Sequence, residues 1–219
     1  MFHIMLYNLI VKLMEPKKNC NLCSRLVDLR KKNKILFPNF FNDRVLGIGP
    51  LYSKFLVIGL APGLRGANRT GKIFNGDFSG NLLFNYLKKY NITENYDEFN
   101  EIRKIRCRIT NAVKCLPPQN KPTTYEIKTC NTFLKSEINK MKKLNVILTF
   151  GQIAHNSLIF ALDKKLSEYK FKHLQKHKIN DKIILINSYH CSKYNINTKR
   201  LKLSDLDYIF KLIKKLLNF

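Results

Sequence analysis

Residues 54–80 read KFLVIGLAPGLRGANRTGKIFNGDFSG. An unbroken apolar run, KFLVIGL (54–60), passes directly into a loop that holds five of the chain's nine glycines. Such a run, without polar alternation, reads as a strand buried on both faces, the kind found in parallel sheets. Three more strand-like runs, less purely apolar, follow at 107–113 (CRITNAV), 145–150 (NVILTF) and 182–187 (KIILIN). Segments with helical spacing of apolar residues lie at 80–90, 124–141, 152–163 and 204–217. This alternation predicts an α/β fold: a three-layer α/β/α sandwich with a central, mostly parallel sheet of about four strands. At 219 residues, a single domain covering 1–219 is expected, with an N-terminal segment, 1–35, packed on it.

In sheets of this type, ligands bind outside the carboxyl ends of the strands. The loop 60–80, the segment after Val113, Gly151 and SYHCSKYN (188–195) all fall at such ends. Glycine loses more freedom on ordering than any other residue, so a loop this rich in it implies close approach to the backbone.

Charge narrows the partner. The chain carries 40 Lys+Arg against 15 Asp+Glu, a net of +25. A surplus this large points to a polyanion, nucleic acid ahead of an anionic membrane. The apolar N-terminal stretch MFHIMLYNLIVKLM (1–14) is interrupted by His3, Asn8 and Lys12. It is too short for a membrane span and has neither a basic n-region nor a small-residue cleavage site. The expectation is an amphipathic helix packing on the domain, no membrane partner, and a reducing, cytoplasmic setting. There, six cysteines point to metal binding or catalysis ahead of disulfides.

Within the loop, GANRTGK (66–72) matches the phosphate-loop spacing G-x-x-x-x-G-K. The next position must be Ser or Thr to hold magnesium and must open a helix. Here it is Ile73, followed by more loop, which argues against a nucleotide-binding regulator. Two cysteine pairs stand out: Cys20 and Cys23 form C-x2-C, and Cys115 and Cys130 have fourteen residues between them. Four thiolates in two pairs can close a tetrahedral zinc site or hold an iron–sulfur cubane, and spacing alone does not choose. Cys107 and Cys191 are left over and read as small buried apolar residues.

Residues 59–80 resemble the first motif of the uracil-DNA glycosylase superfamily in its iron–sulfur branch, and GANRTG most resembles family 5, the B-type. ITNAVKCLPP (109–118) is similar to the second motif and HCSKYN (190–195) to the third, in the family's order, over roughly residues 15–205. The resemblance implies a base-excision repair enzyme that flips uracil, and other deaminated bases, out of DNA and hydrolyses the N-glycosidic bond. It implies Asp77, Asn111 and His190 as catalytic residues, and a base site formed by Gly59, Ala61, Phe74, Asn111 and His190. In it, Phe74 stacks on the base and Asn111 offers a donor and an acceptor to the uracil edge. His190 donates to the anion developing on the base, while Asp77 positions water or supports the sugar cation. Each also has a plainer reading: Phe74 as a core plug, Asp77 as a helix cap near Gly80, Asn111 bonded to backbone, His190 structural.

Gly66, Asn68, Arg69, Lys72, Ser192 and Asn195 are expected on DNA phosphates, with Tyr189 as a further contact. The family pattern places a structural [4Fe–4S] cluster on Cys20, Cys23, Cys115 and Cys130. Single- and double-stranded DNA, a monomer, and nucleoid association follow from the same resemblance. The rival within it is an inactive, cluster-bearing DNA-binding module. Two departures bear on substrate range: Arg65 stands where many B-type members have His, and Lys199-Arg200-Leu201 where they have Gly-Arg-Leu. An apolar residue near Leu201 is the candidate wedge for the emptied base stack.

Overall fold

The computed structural model describes residues 15–93 and 105–218. The expected N-terminal helix at 1–14 lies outside them. Helix α1 (Ser24–Leu36) follows the first cysteine pair, and β1 (Phe55–Gly59) leads to a four-residue turn of helix, α2 (Ala67–Thr70), and then α3 (Phe78–Lys89). Next come β2 (Arg108–Asn111), α4 (Thr124–Lys140), β3 (Val146–Phe150) and α5 (Gln152–Ala161). The chain then forms β4 (Lys176–Lys178), β5 (Ile184–Ser188), the short α6 (Lys193–Asn197) and α7 (Leu203–Leu217).

The sheet runs β2-β1-β3-β5-β4. All pairs are parallel except β4 with β5. The sheet thus has five strands where apolar runs predict about four. The missed strand is Lys-His-Lys, an exposed edge that apolarity cannot reveal and whose charge deters pairing with another chain. Alternate residues of β1 feed opposite cores, as a period of two requires. Phe55 and Val57 pack with Leu83 and Leu87 of α3 and Ile209 and Phe210 of α7. Leu56 and Ile58 pack with Leu134 and Ile138 of α4 and Leu158 of α5. The helical layers on both faces give the expected sandwich.

The chain leaves β1 toward β2 on one side and returns to β3 on the other. The crevice at the carboxyl ends of β1 and β3 is therefore the switch point where open α/β sheets bind ligands. The flank of that crevice is braced by a buried ionic cluster. Glu137 of α4 accepts from Arg108 Nε at 2.6 Å, Thr110 Oγ1 at 2.8 Å and Lys114 Nζ at 3.1 Å. Lys114 is itself fully buried. Burial pulls the Glu137 carboxyl upward, but the Lys114 and Arg108 cations outweigh it and hold the group below its ordinary range. The cluster clamps β2 to α4 on either side of Asn111.

Candidate active site

Gly59 ends β1 and Asn111 ends β2, side by side in register. A Cβ on Gly59 would lie 2.4 Å from Asn111 Oδ1 and 2.7 Å from the Phe74 ring. The missing side chain is what lets the carboxamide and the phenyl ring meet over the strand tips. Asn111 is 3% exposed, and its carboxamide finds no hydrogen-bond partner among the described residues. A buried amide with its donor and acceptor both free is matched to a ligand edge that offers one of each.

Phe74 holds the ring in place at a backbone cost. Its φ is +48°, a conformation rare for an aromatic residue and one that clusters at functional sites. The ring centroid sits 6.3 Å from that of Phe150 at the end of β3. Gly80 permits the tight return, because a Cβ there would strike the Phe74 carbonyl at 2.0 Å. Asp77 is the N-cap of α3, with Oδ1 accepting from Gly80 N at 2.9 Å. Its other oxygen, Oδ2, lies over the glycine loop: a Cβ on Gly66 would come within 2.3 Å of it. The helix cap fixes one carboxylate oxygen and leaves the second facing the cavity.

His190 follows β5, its carbonyl accepting from Asn195 Nδ2 at 2.8 Å. Tyr189 N donates to His173 Nδ1 at 3.2 Å, and the two rings stack at 4.6 Å, so the backbone before His190 is also tied. Burial lowers the His190 pKa from its ordinary 6.5, and the nearby Asp77 charge only partly opposes this. A neutral imidazole with a free N–H is therefore the favoured form near neutrality. Phe74, Asp77, Asn111, His190, Ala61 and Ser192 all line one cavity of about 380 Å³.

The four expected thiols also converge. Cys20, Cys23, Cys115 and Cys130 line one small pocket with Leu26, Val113 and Phe133. Lys114 N donates to Cys130 Sγ at 3.3 Å, the kind of bond that tunes cluster sulfurs. Burial, with the neighbouring thiols adding to it, pushes Cys23 up to about 11 and Cys115 to about 12. A metal binding there must displace protons. Among the described residues, no three His, Cys, Asp or Glu side chains close to the spacing of a single coordinated ion. The donor set and its N–H···S bond fit a thiolate-held cluster. Cys107 and Cys191 are fully buried.

The Uracil DNA glycosylase superfamily matches residues 46–214, more than half of the chain. The chain belongs to that superfamily. The type-5 uracil-DNA glycosylase of Thermus thermophilus is 32% identical over 83% of this chain and 86% of its own length. That of Mycobacterium leprae is 32% identical over 90% and 91%, and that of Pyrobaculum aerophilum 31% over 88% and 87%.

Several sequence-derived positions of this glycosylase-family chain take other places in the structure. Asn68 is buried, and its Nδ2 donates to Asn42 Oδ1 at 2.9 Å, so it shapes the loop from within instead of reaching out. Asn195 likewise spends its amide on the His190 carbonyl. Arg69 is exposed but folds back, with Nε donating to Arg65 O at 2.8 Å. Lys72 is exposed, Gly66 is the N-cap of α2, and Ser192 caps α6. Leu201 itself is fully buried among α7 residues, so the wedge expected near it would have to be one of its neighbours. Ile73 is 1% exposed, so the position that would hold magnesium in a phosphate loop is a core residue here. Asn120, which the sequence reading missed, also lines the cavity. It sits in a short 3-10 turn at φ +55°, and nothing in its sequence neighbourhood marks the direction of its side chain.

Proposed function

We propose that this chain is a monofunctional uracil-DNA glycosylase of base-excision repair. The observation that carries the reading is the cavity that joins an unpartnered, buried carboxamide, a stacking ring, a neutral imidazole and a capped carboxylate at one switch point. Phe74 stacks on the extruded base, and Gly59 and Ala61 let it lie close to the strand tip. Asn111 reads the uracil edge. As the C1′–N1 bond breaks, its electron pair moves to the base, and His190 donates a hydrogen bond to the oxygen that gains charge. Asp77 supports the cation-like sugar and orients the water whose oxygen bonds to C1′, and the proton which that water loses balances the one taken up by the departing base anion. The cavity volume supports other deaminated bases, including hypoxanthine, as substrates.

DNA, single- or double-stranded, is held through phosphates by the backbone amides of Gly66 and Ala67, which open α2, and by Arg69, Lys72 and Ser192, over a net charge of +25. Asn68 and Asn195 act one step back, by fixing the loops that present those groups. Cys20, Cys23, Cys115 and Cys130 would hold a [4Fe–4S] cluster, which ties the N-terminal segment to the end of β2. The reading includes a single domain over 1–219, a monomer, and a cytoplasmic enzyme acting at the nucleoid. Among the described residues, no helix is long and apolar enough to cross a membrane.

A nicking assay tests the activity: uracil oligonucleotides are incubated without ATP or added magnesium, then cleaved with alkali at abasic sites. Strand cleavage dependent on uracil is expected. Intact strands from correctly assembled protein would leave the inactive DNA-binding module as the better reading. Iron and acid-labile sulfide, measured after anaerobic purification, test the cluster; a folded, iron-free, colourless protein would exclude it.

A further inference from the structure

Phe41 is 44% exposed, and it rides on the glycine loop. Its backbone N donates to Arg69 O at 3.0 Å, and Asn42 N donates to Asn68 O at 3.1 Å. Asn42 also donates its Nδ2 to Phe37 O at 2.8 Å and accepts from Asn68, which locks the end of α1 to α2. Gly71, at φ +73°, lies directly against the ring: a Cβ there would come within 2.8 Å of it. Ala67 lines the cavity, and Gly71 is four residues further along the same turn of helix, about 6 Å in rise. An exposed aromatic face is thus held rigidly about one helical turn from the pocket rim.

The chain segments on both sides of the contact are rich in cations. Segment 31–42 contains Lys31, Lys32 and Lys34, and segment 65–76 contains Arg65, Arg69 and Lys72, with no carboxylate in either. Asp43, next to the first segment, is buried and paired with Arg30 and Arg44, and Asp77, next to the second, is the cap of α3. A flat apolar ring inside a cationic frame is the arrangement that takes unpaired bases, because every base has a face to stack and every linkage a charge to neutralise.

We infer that Phe41 is a stacking platform for an unpaired nucleobase of the same strand, beside the nucleotide that enters the cavity. The inference rests on the reading of that cavity as a base pocket in DNA. In a duplex the neighbouring base stays stacked in the helix and cannot use the platform, so Phe41 favours single-stranded substrate.

The test measures binding of a uracil oligonucleotide made hydrolysis-resistant by 2′-fluorine on the deoxyribose, as a single strand and as a duplex. Phe41→Ala and Phe41→Leu should each weaken single-strand binding by roughly five- to a hundredfold more than duplex binding. Phe41→Tyr, which keeps the flat ring, should bind like wild type. Shortening the single strand one nucleotide at a time should give one step of lost affinity in wild type that is absent in Phe41→Ala. Tight single-strand binding by Phe41→Leu would overturn the inference, since leucine fills the space over Gly71 without offering a stacking face. Equal losses on both substrates would overturn it too, as would a wild-type dimer in sedimentation that Phe41→Ala dissolves. If the underlying pocket reading is wrong instead, wild type leaves every uracil strand uncleaved in the nicking assay, whatever Phe41 does to binding.

Discussion

The proposed function adds a catalytic job to the helix cap that Asp77 makes, and the two can be separated. Its Oδ1 caps α3 at 2.9 Å from Gly80 N, a contact that contributes about 1 kcal/mol. Its Oδ2 faces the cavity, where a full negative charge about 4 Å from a developing sugar cation is worth roughly 4 kcal/mol at an effective dielectric of about 20. That corresponds to about a thousandfold in rate. Asp77→Asn keeps the capping oxygen, since asparagine is as good an N-cap, and removes only the charge. Its melting temperature should match wild type, while single-turnover excision falls about a thousandfold. Asp77→Ala should lose a similar rate and also about 1 kcal/mol of stability, roughly 2–4 °C in Tm for a chain of this size. The rate comes from alkali-cleaved oligonucleotide with enzyme in excess, and the Tm from calorimetry. If Asp77→Asn excises uracil within tenfold of wild type, the carboxylate is a helix cap and nothing more, and the catalytic role falls.

Three further outcomes follow from other residues. Burial depresses the His190 pKa below 6.5, so excision that depends on its neutral form should hold down through pH 6.5 and decline only below it; a limb at or above 6.5 in the single-turnover profile would contradict this. Folding linked to the same group is favoured above 6.5, where both states are neutral, and weakens as pH falls toward the lowered folded value. Gly59→Ala should cost about 1–3 kcal/mol by overpacking and reduce excision sharply, because its methyl group collides with both Asn111 and Phe74; denaturant titration and nicking together check it. Glu137→Gln strands the buried Lys114 charge and leaves Arg108 with Glu15 as its carboxylate partner, at a cost of about 3–5 kcal/mol by denaturant unfolding, with no residue lining the cavity altered.

The sheet was legible wherever burial is two-sided. FLVIG and VILTF are buried at every position because both faces are covered, Thr149 being the one polar residue in the two runs, and both appear as strands within one residue of their expected ends. Lys-His-Lys failed the same criterion for a physical reason: an edge strand contributes backbone pairing with little side-chain burial. The pocket residues were legible through motif order, yet motif order says nothing about where an amide points. Asn68 and Asn195 sit in the short helices where phosphate contacts were expected, and each turns inward to bind its own chain. Asn120 does the reverse, reaching the cavity from a turn whose positive φ no residue pattern announced. Leu201 illustrates the same limit for apolar groups, since a core leucine and a wedging leucine look alike in sequence.

The distant cysteines and the base pocket are parts of one positional problem. Hydrolysis of this kind needs its groups held within about 0.5 Å of productive geometry. On the proposed reading, Asn111 cannot be steadied by a hydrogen bond of its own carboxamide, because that amide must stay free for the base. Its backbone must be steadied instead. Thr110 before it and Lys114 after it both reach Glu137, and Lys114 N reaches Cys130 Sγ. Cys115 then carries the chain into the four-thiol pocket, where Cys20 and Cys23 bring in α1, and the end of α1 is bonded to the glycine loop through Asn42 and Asn68. The two walls of the base pocket, the Asn111 strand tip and the 61–71 loop, are thus joined behind the cavity through the thiols. A cluster on those thiols would act on excision by holding the walls at a fixed separation. On this argument its loss should appear first as a broadened, cooler unfolding transition, and only secondarily as lost turnover.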